Sequence, residues 1–147
     1  MSVAIDVAPL RAEDRAAWEV LARGYKAFYR SPTTDEEYAT AWKRLLARDA
    51  VSGLGAKING QLVGIAHYLF HTSTWAQTVC YLQDLFTSPA LRSKGVGRAL
   101  IEAVAAEARV RGAARYYWLT QDHNAVARRL YDKVGRHNGF IRYDFAL

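Results

Sequence analysis

The stretch Asp84-Leu85-Phe86-Thr87-Ser88-Pro89-Ala90-Leu91-Arg92-Ser93-Lys94-Gly95-Val96-Gly97-Arg98-Ala99-Leu100-Ile101 constrains the fold of this chain more than any other segment. An apolar strand runs into a tight basic turn holding two glycines, and the turn opens a long helix. The first turn of a helix has backbone N–H groups without partners and carries partial positive charge. Glycines let an anion approach that backbone, and Arg92, Lys94 and Arg98 add full charges. The segment is therefore expected to hold a phosphate-bearing ligand. It is not a Walker loop, because the Gly-Lys-Ser/Thr ending is missing. It is not a dinucleotide fingerprint either, since Leu100 stands where a third glycine belongs.

The surrounding elements read as a mixed α/β sheet with helices on both faces, in the order β-α-α-β-β-β-α-β-α-β. Val3 to Ala8 is an edge strand ended by Pro9. Helical spacing runs from Glu13 to Arg23 with Gly24 as its stop, and Thr34 caps a second helix from Asp35 to about Arg48. Strands over 53–58 and 62–70 form a hairpin around Asn59-Gly60. A strand over 78–86 leads to the basic turn and to a helix over 96–111, with Gly112 as its C-terminal cap. A short aromatic strand over 115–120, a helix over 124–133 and a last strand from Phe140 to Leu147 complete the chain.

At 147 residues and 51% hydrophobic content, one domain with a real core is expected. The net charge of +6 suits an anionic partner but is spread along the chain, so a nucleic-acid arm is not indicated. The single cysteine, Cys80, sits in an apolar run, which excludes internal disulfides and points to a buried inert thiol. The four histidines, His67, His71, His123 and His137, lack metal-ligand spacing, so no metal is expected. There is no signal-peptide pattern and no apolar run long enough to span a membrane, and a reducing cytoplasm fits these features.

Arg92, Gly95 and Gly97 fill the pattern Arg/Gln-x-x-Gly-x-Gly/Ala, and Asn124, Ala127, Leu130 and Tyr131 fill Asn-x-x-Ala-x-x-Leu-Tyr after the strand Trp118-Leu119-Thr120. In this order and separation the two motifs resemble those of the GNAT acetyltransferases, and the resemblance spans essentially the whole chain. It implies a central, mostly antiparallel twisted sheet with a splayed strand pair that binds acyl-CoA. It also implies an acetyl-CoA-dependent N-acetyltransferase. Arg92, Ser93, Lys94, Gly95, Val96, Gly97 and Arg98 would surround the pyrophosphate. Leu85, Phe86 and Thr87 would offer backbone groups to the pantetheine arm, with the Leu85 N–H as oxyanion donor. Asn124 and Ala127 would lie near the cofactor, although Asn124 serves equally as a helix cap. Tyr131 would donate the proton taken up by the departing thiolate.

The general base is open: some relatives carry a glutamate where this chain has Gln83, and Asp84 beside it either binds a cationic substrate, works through water or forms a salt bridge. Tyr25, Phe28, Tyr29, Asp35, Glu36, Glu37 and Tyr38 lie in the region that overhangs the acceptor site in this fold. They would contact a protonated amine or would be core aromatics and an acidic helix start. Tyr81 to Phe86 and Tyr117 to Gln121 also resemble a subgroup related to yeast histone and polyamine acetyltransferases, which implies a small-molecule amine acceptor and a homodimer. A macromolecular amine, in a protein or an aminoacyl-tRNA, and a silent acyl-CoA-binding module are the alternative readings. The segment from Val134 to Asn138 departs from the family's usual ending, so the last strand is expected to be rearranged or exchanged in a dimer.

Overall fold

The computed structural model describes residues 3–147. Five strands lie in the order β1 (Asp6–Pro9), β2 (Ser52–Ile58), β3 (Gln61–His71), β4 (Val79–Thr87) and β5 (Tyr116–Trp118). The first four are antiparallel neighbours, and β5 joins β4 in parallel. Against one face lie α1 (Arg15–Phe28) and α2 (Asp35–Ala47), and against the other α3 (Val96–Val110) and α4 (Ala125–Val134). Each face has its own core. Trp18, Trp42, Leu45, Ile65 and Phe86 fill one, and Ala66, Leu82, Val96, Leu100 and Val104 fill the other. Cys80 is fully buried in the second.

Local signals place most boundaries. Thr34 and Glu37 form a reciprocal capping box at the start of α2, which satisfies backbone donors there. The hairpin turns at Asn59 and Gly60. Gly112 closes α3 with a left-handed φ of 67° and a hydrogen bond to the Arg109 carbonyl.

Two expectations are corrected. Gly24 does not stop α1, which continues to Phe28. A Cβ at position 24 would stand 2.9 Å from the Phe86 ring, so this glycine lets β4's aromatic side chain pack against the helix. The chain from Phe140 to Leu147 does not pair as a strand. Phe140, Ile141, Tyr143, Phe145 and Leu147 are all exposed there, and among the described residues no strand pairs with this segment.

Candidate active site

The site grows from the way β4 treats its two neighbours. Its pairing with β5 covers only Cys80, Tyr81 and Leu82, opposite Tyr116, Tyr117 and Trp118. Beyond Leu82 the two parallel strands part, and the β4 backbone has no sheet partner on that side. The resulting cleft is lined by Tyr25, Tyr29, Leu82, Gln83, Leu85, Trp118, Leu119 and Tyr131.

On the β3 side the pairing is continuous but for one irregularity. His67 faces Asp84 and Tyr68 faces Leu82, which leaves Gln83 as an extra residue, a β-bulge. Without it, Leu82 and Leu85 would point to opposite faces. With it, both pack toward α3, while Asp84 and Phe86 point toward α1. The exposed Gln83 is left at the cleft.

Ser93 and Gly95 carry the turn before α3 at φ 66° and 88°, and Gly95 is its N-cap. No side chain caps α3, so the first-turn N–H groups remain available for an anion. Ser93 to Gly97, for which the resemblance implies a pyrophosphate contact, form this turn. The basic side chains are less uniform than the sequence suggests. Arg92 lies over the Phe86 and Phe28 rings, at 5.6 and 6.0 Å, and Arg98 pairs with Glu102 at 2.9 Å. Phe86 is buried against α1, so only its backbone can face the cleft. Thr87 ends β4, with its hydroxyl near Gly97.

Tyr131, on α4, packs edge-on against Trp118 of β5 at 5.5 Å. Burial, with a smaller contribution from Tyr29, pushes its phenol up to about 12. It therefore keeps its proton throughout the neutral range. Asn124 caps α4: its side-chain oxygen accepts from the Ala127 N–H at 3.3 Å. The cap reading of Asn124 is thus realised, and Ala127 is the residue it holds.

Asp84 does not line the cleft, but Tyr25 and Tyr29, which face its carboxylate, do. Its side chain is 27% exposed. Burial pushes this carboxyl up, but the His67 hydrogen bond, joined by Tyr25 and Lys26, outweighs burial and holds it below its ordinary range. Asp84 is anionic at neutral pH. Of the region between the first helices, Tyr25, Phe28 and Tyr29 cluster at the end of α1 with centroids 4.9 and 5.0 Å apart. Tyr38 is core, Asp35 pairs with Arg23 at 2.6 Å and Glu37 is part of the cap. Tyr25 and Tyr29 line the cleft, while Asp35 and Glu37 are engaged elsewhere.

His67 was not recognisable in the sequence as part of this arrangement. Its ring lies between Trp18 and Asp84, at 2.9 Å from each. Trp18 is 49 residues away in the chain, and only the sheet–helix packing unites them. Among the described residues no cluster of His, Cys, Asp or Glu could hold a metal ion.

Residues 17–135 match the acetyltransferase (GNAT) family, and the chain belongs to it. It is an acetyl-CoA-dependent N-acetyltransferase. The D-amino-acid N-acetyltransferase HPA3 of Saccharomyces cerevisiae is 33% identical over 144 residues, covering 95% of this chain and 89% of the yeast protein. The thialysine N-epsilon-acetyltransferase of Caenorhabditis elegans is 34% identical over 85 residues, 58% of this chain and 53% of that one. Among solved structures, AAC(6')-Iy in complex with the bisubstrate analog CoA-S-monomethyl-acetylneamine superposes with a TM-score of 0.87 at 17% identity, over 98% of both chains. That likeness is one of fold. Among the described residues no helix is long and apolar enough to cross a membrane.

Proposed function

We propose that this single-domain enzyme acetylates the primary amine of a small, positively charged molecule, such as a polyamine or an amino acid, by direct attack. The observation that carries this reading is the cleft beside β4. It sets a free strand edge and the Tyr131 phenol near an aromatic rim faced by the negative Asp84. The relatives named for D-amino acids and thialysine support a small amine acceptor.

When bound, acetyl-CoA supplies the thioester carbonyl. Ser93, Lys94, Gly95, Val96 and Gly97 would hold its pyrophosphate through backbone N–H groups, with Arg92 and Arg98 adding positive field. The freed backbone of Leu85, Phe86 and Thr87 would hold the pantetheine arm, and the Leu85 N–H would stabilise charge on the carbonyl oxygen. An acceptor amine arrives chiefly as ammonium near neutral pH. The Asp84 charge draws that cation to the Tyr25–Tyr29 rim. A carboxylate held below its ordinary range is a poor proton acceptor, so the ammonium proton leaves to water. As the nitrogen–carbonyl bond forms and the carbon–sulfur bond breaks, Tyr131 donates a proton to the departing sulfur, and the proton lost by the new amide nitrogen returns to the phenol through water. Cys80 takes no part: burial pushes its thiol up to about 11, away from thiolate character.

A cytoplasmic homodimer completes the proposal. The Phe140–Leu147 segment alternates largely apolar and polar residues, stands exposed, and has no pairing partner among the described residues, while β5 is an open sheet edge. Strand addition to a second copy would satisfy both. The lone buried thiol of Cys80 suits a reducing compartment.

The test is release of CoA thiol from acetyl-CoA across polyamines, D- and L-amino acids, thialysine, lysine peptides and aminoacyl-tRNA. Turnover with the small cationic amines is expected. Turnover with peptides or aminoacyl-tRNA alone would move the acceptor to a macromolecule, and acetyl-CoA binding without any turnover would leave a binding module.

A further inference from the structure

The buried polar chain behind the cleft has a forced direction. The Trp18 indole nitrogen can only donate, and it lies 2.9 Å from His67 Nε2. Nε2 must therefore carry a lone pair, which puts the ring proton on Nδ1. That nitrogen is 2.9 Å from Asp84 Oδ2. The carboxylate must then be the acceptor, because a protonated Asp84 donating to Nδ1 would leave the imidazole with no proton at all. A doubly protonated ring would set an N–H against the indole N–H. One arrangement satisfies all three groups: Trp18 donates to His67, and His67 donates to an ionised Asp84.

The scaffold is rigid at the far end and open at the near one. Trp18 is 1% exposed and packs against the tilted ring of Trp42 at a centroid distance of 5.0 Å. The exposed fraction rises to 13% at the His67 side chain and 27% at Asp84. From α1, Tyr25 and Lys26 also face the carboxylate, with Tyr29 just beyond the helix, and Tyr81 faces it from β4. Tyr25 and Tyr29 also line the cleft, whereas His67 and Trp18 reach Asp84 from the sheet and core. The bulge at Gln83 gives the chain its aim, since it turns Asp84 toward α1 in register with His67.

We propose that His67, fixed by Trp18 in its Nδ1–H form, is the positioning residue that holds Asp84 ionised and aimed at the acceptor. This rests on the reading of Asp84 as the group that attracts the acceptor's positive charge. A histidine used in this way is not a proton carrier. It is a neutral donor whose second nitrogen is occupied by the core.

Two measurements test it on the full-length enzyme. Ring ¹⁵N NMR of His67 reads its tautomer, and ¹³C NMR of the Asp84 carboxyl reads its titration, in the wild type and in the Trp18→Phe, His67→Phe and His67→Gln variants. The wild type is expected to show the Nδ1–H tautomer, and Trp18→Phe, which frees Nε2 of its donor, is expected to show a mixture of the two tautomers. In His67→Phe the proton affinity of Asp84 is expected to rise about tenfold, and His67→Gln, which keeps a donor, should recover part of that change. An Nε2–H tautomer in the wild type, or an Asp84 titration unchanged by His67→Phe, overturns the proposal. Trp18→Phe supplies the test by itself if the His67 variants fail to fold.

The pH profile of kcat/KM separates this from the reading beneath it. Its acid limb should move up in His67→Phe together with the carboxyl titration, with acetyl-CoA affinity unchanged. A limb that stays in place while the carboxyl titration moves removes Asp84 from acceptor binding and still supports the Trp18–His67–Asp84 arrangement.

Discussion

Along its β3 edge, β4 is paired from Val79 to Thr87 with a single bulge, whereas along its β5 edge the pairing stops at Leu82. On the first side every group of the Trp18–His67–Asp84 chain is bonded, and the charge of Asp84 is held in one place. On the second side the sheet bonds are left unmade beyond Leu82, and the turn before α3 has no side-chain cap. The difference separates two physical tasks. A binding edge needs unsatisfied donors and acceptors, while a fixed charge needs a full set of partners, because a buried carboxylate without them would neutralise.

Four substitutions probe that contrast. The largest effect is expected at the open edge: Tyr131→Phe should lower kcat by about 10³-fold with the acetyl-CoA Kd unchanged, as read by thiol release and calorimetry. An unchanged kcat would make Tyr131 a packing residue for Trp118. On the bonded side, Asp84→Asn should lower kcat/KM for a cationic acceptor by about 100-fold, mostly through KM. Equal losses for a neutral amine would point to general damage instead. At the turn, Gly95→Ala forces a side chain into φ 88°, a strain of about 1–2 kcal/mol, and should raise the KM for acetyl-CoA roughly tenfold.

The smallest catalytic effect is expected at a second well-bonded carboxylate, Asp14. It is 7% exposed, bonded to Lys57 Nζ at 2.8 Å and to the Arg11 N–H at 2.8 Å, and it lies at the start of α1. Burial pushes its carboxyl up, but Lys57 and Arg11 outweigh that and hold it below its ordinary range. Its contribution to stability is then complete above the unfolded-state value and fades as pH falls through the lower folded value. Asp14→Asn should cost about 1–3 kcal/mol near neutrality and flatten the acid side of the stability profile, with kcat intact. Denaturant melts at several pH values read this directly. A matching loss of kcat would join Asp14 to the catalytic apparatus.

The elements were legible where the signal is local. Thr34 with Glu37, Asn59-Gly60 and Gly112 each act within a few residues, so their caps and turns stand where the sequence puts them. The glycine turn and the Asn124–Tyr131 helix were legible for the same reason. Gly24 misled because its meaning lies in Phe86, far along the chain and reached only through the sheet. The terminal strand was legible only in part: the atypical segment from Val134 to Asn138 signalled a rearranged ending, but whether residues 140–147 pair depends on an edge that no local pattern specifies. His67 carried no signal at all, since its partners come from α1 and β4.

Taken by itself, the sequence determined the family, the order of elements as far as α4 and the glycine turn before α3, because helix starts, tight turns and the two motifs are short-range chemistry. Only the tertiary structure decided where β4 and β5 part, that Gln83 is a bulge, and that Asp84 points to α1 with Trp18 and His67 behind it. Register and close packing join residues dozens of positions apart, and no local pattern of residues encodes which of them will meet.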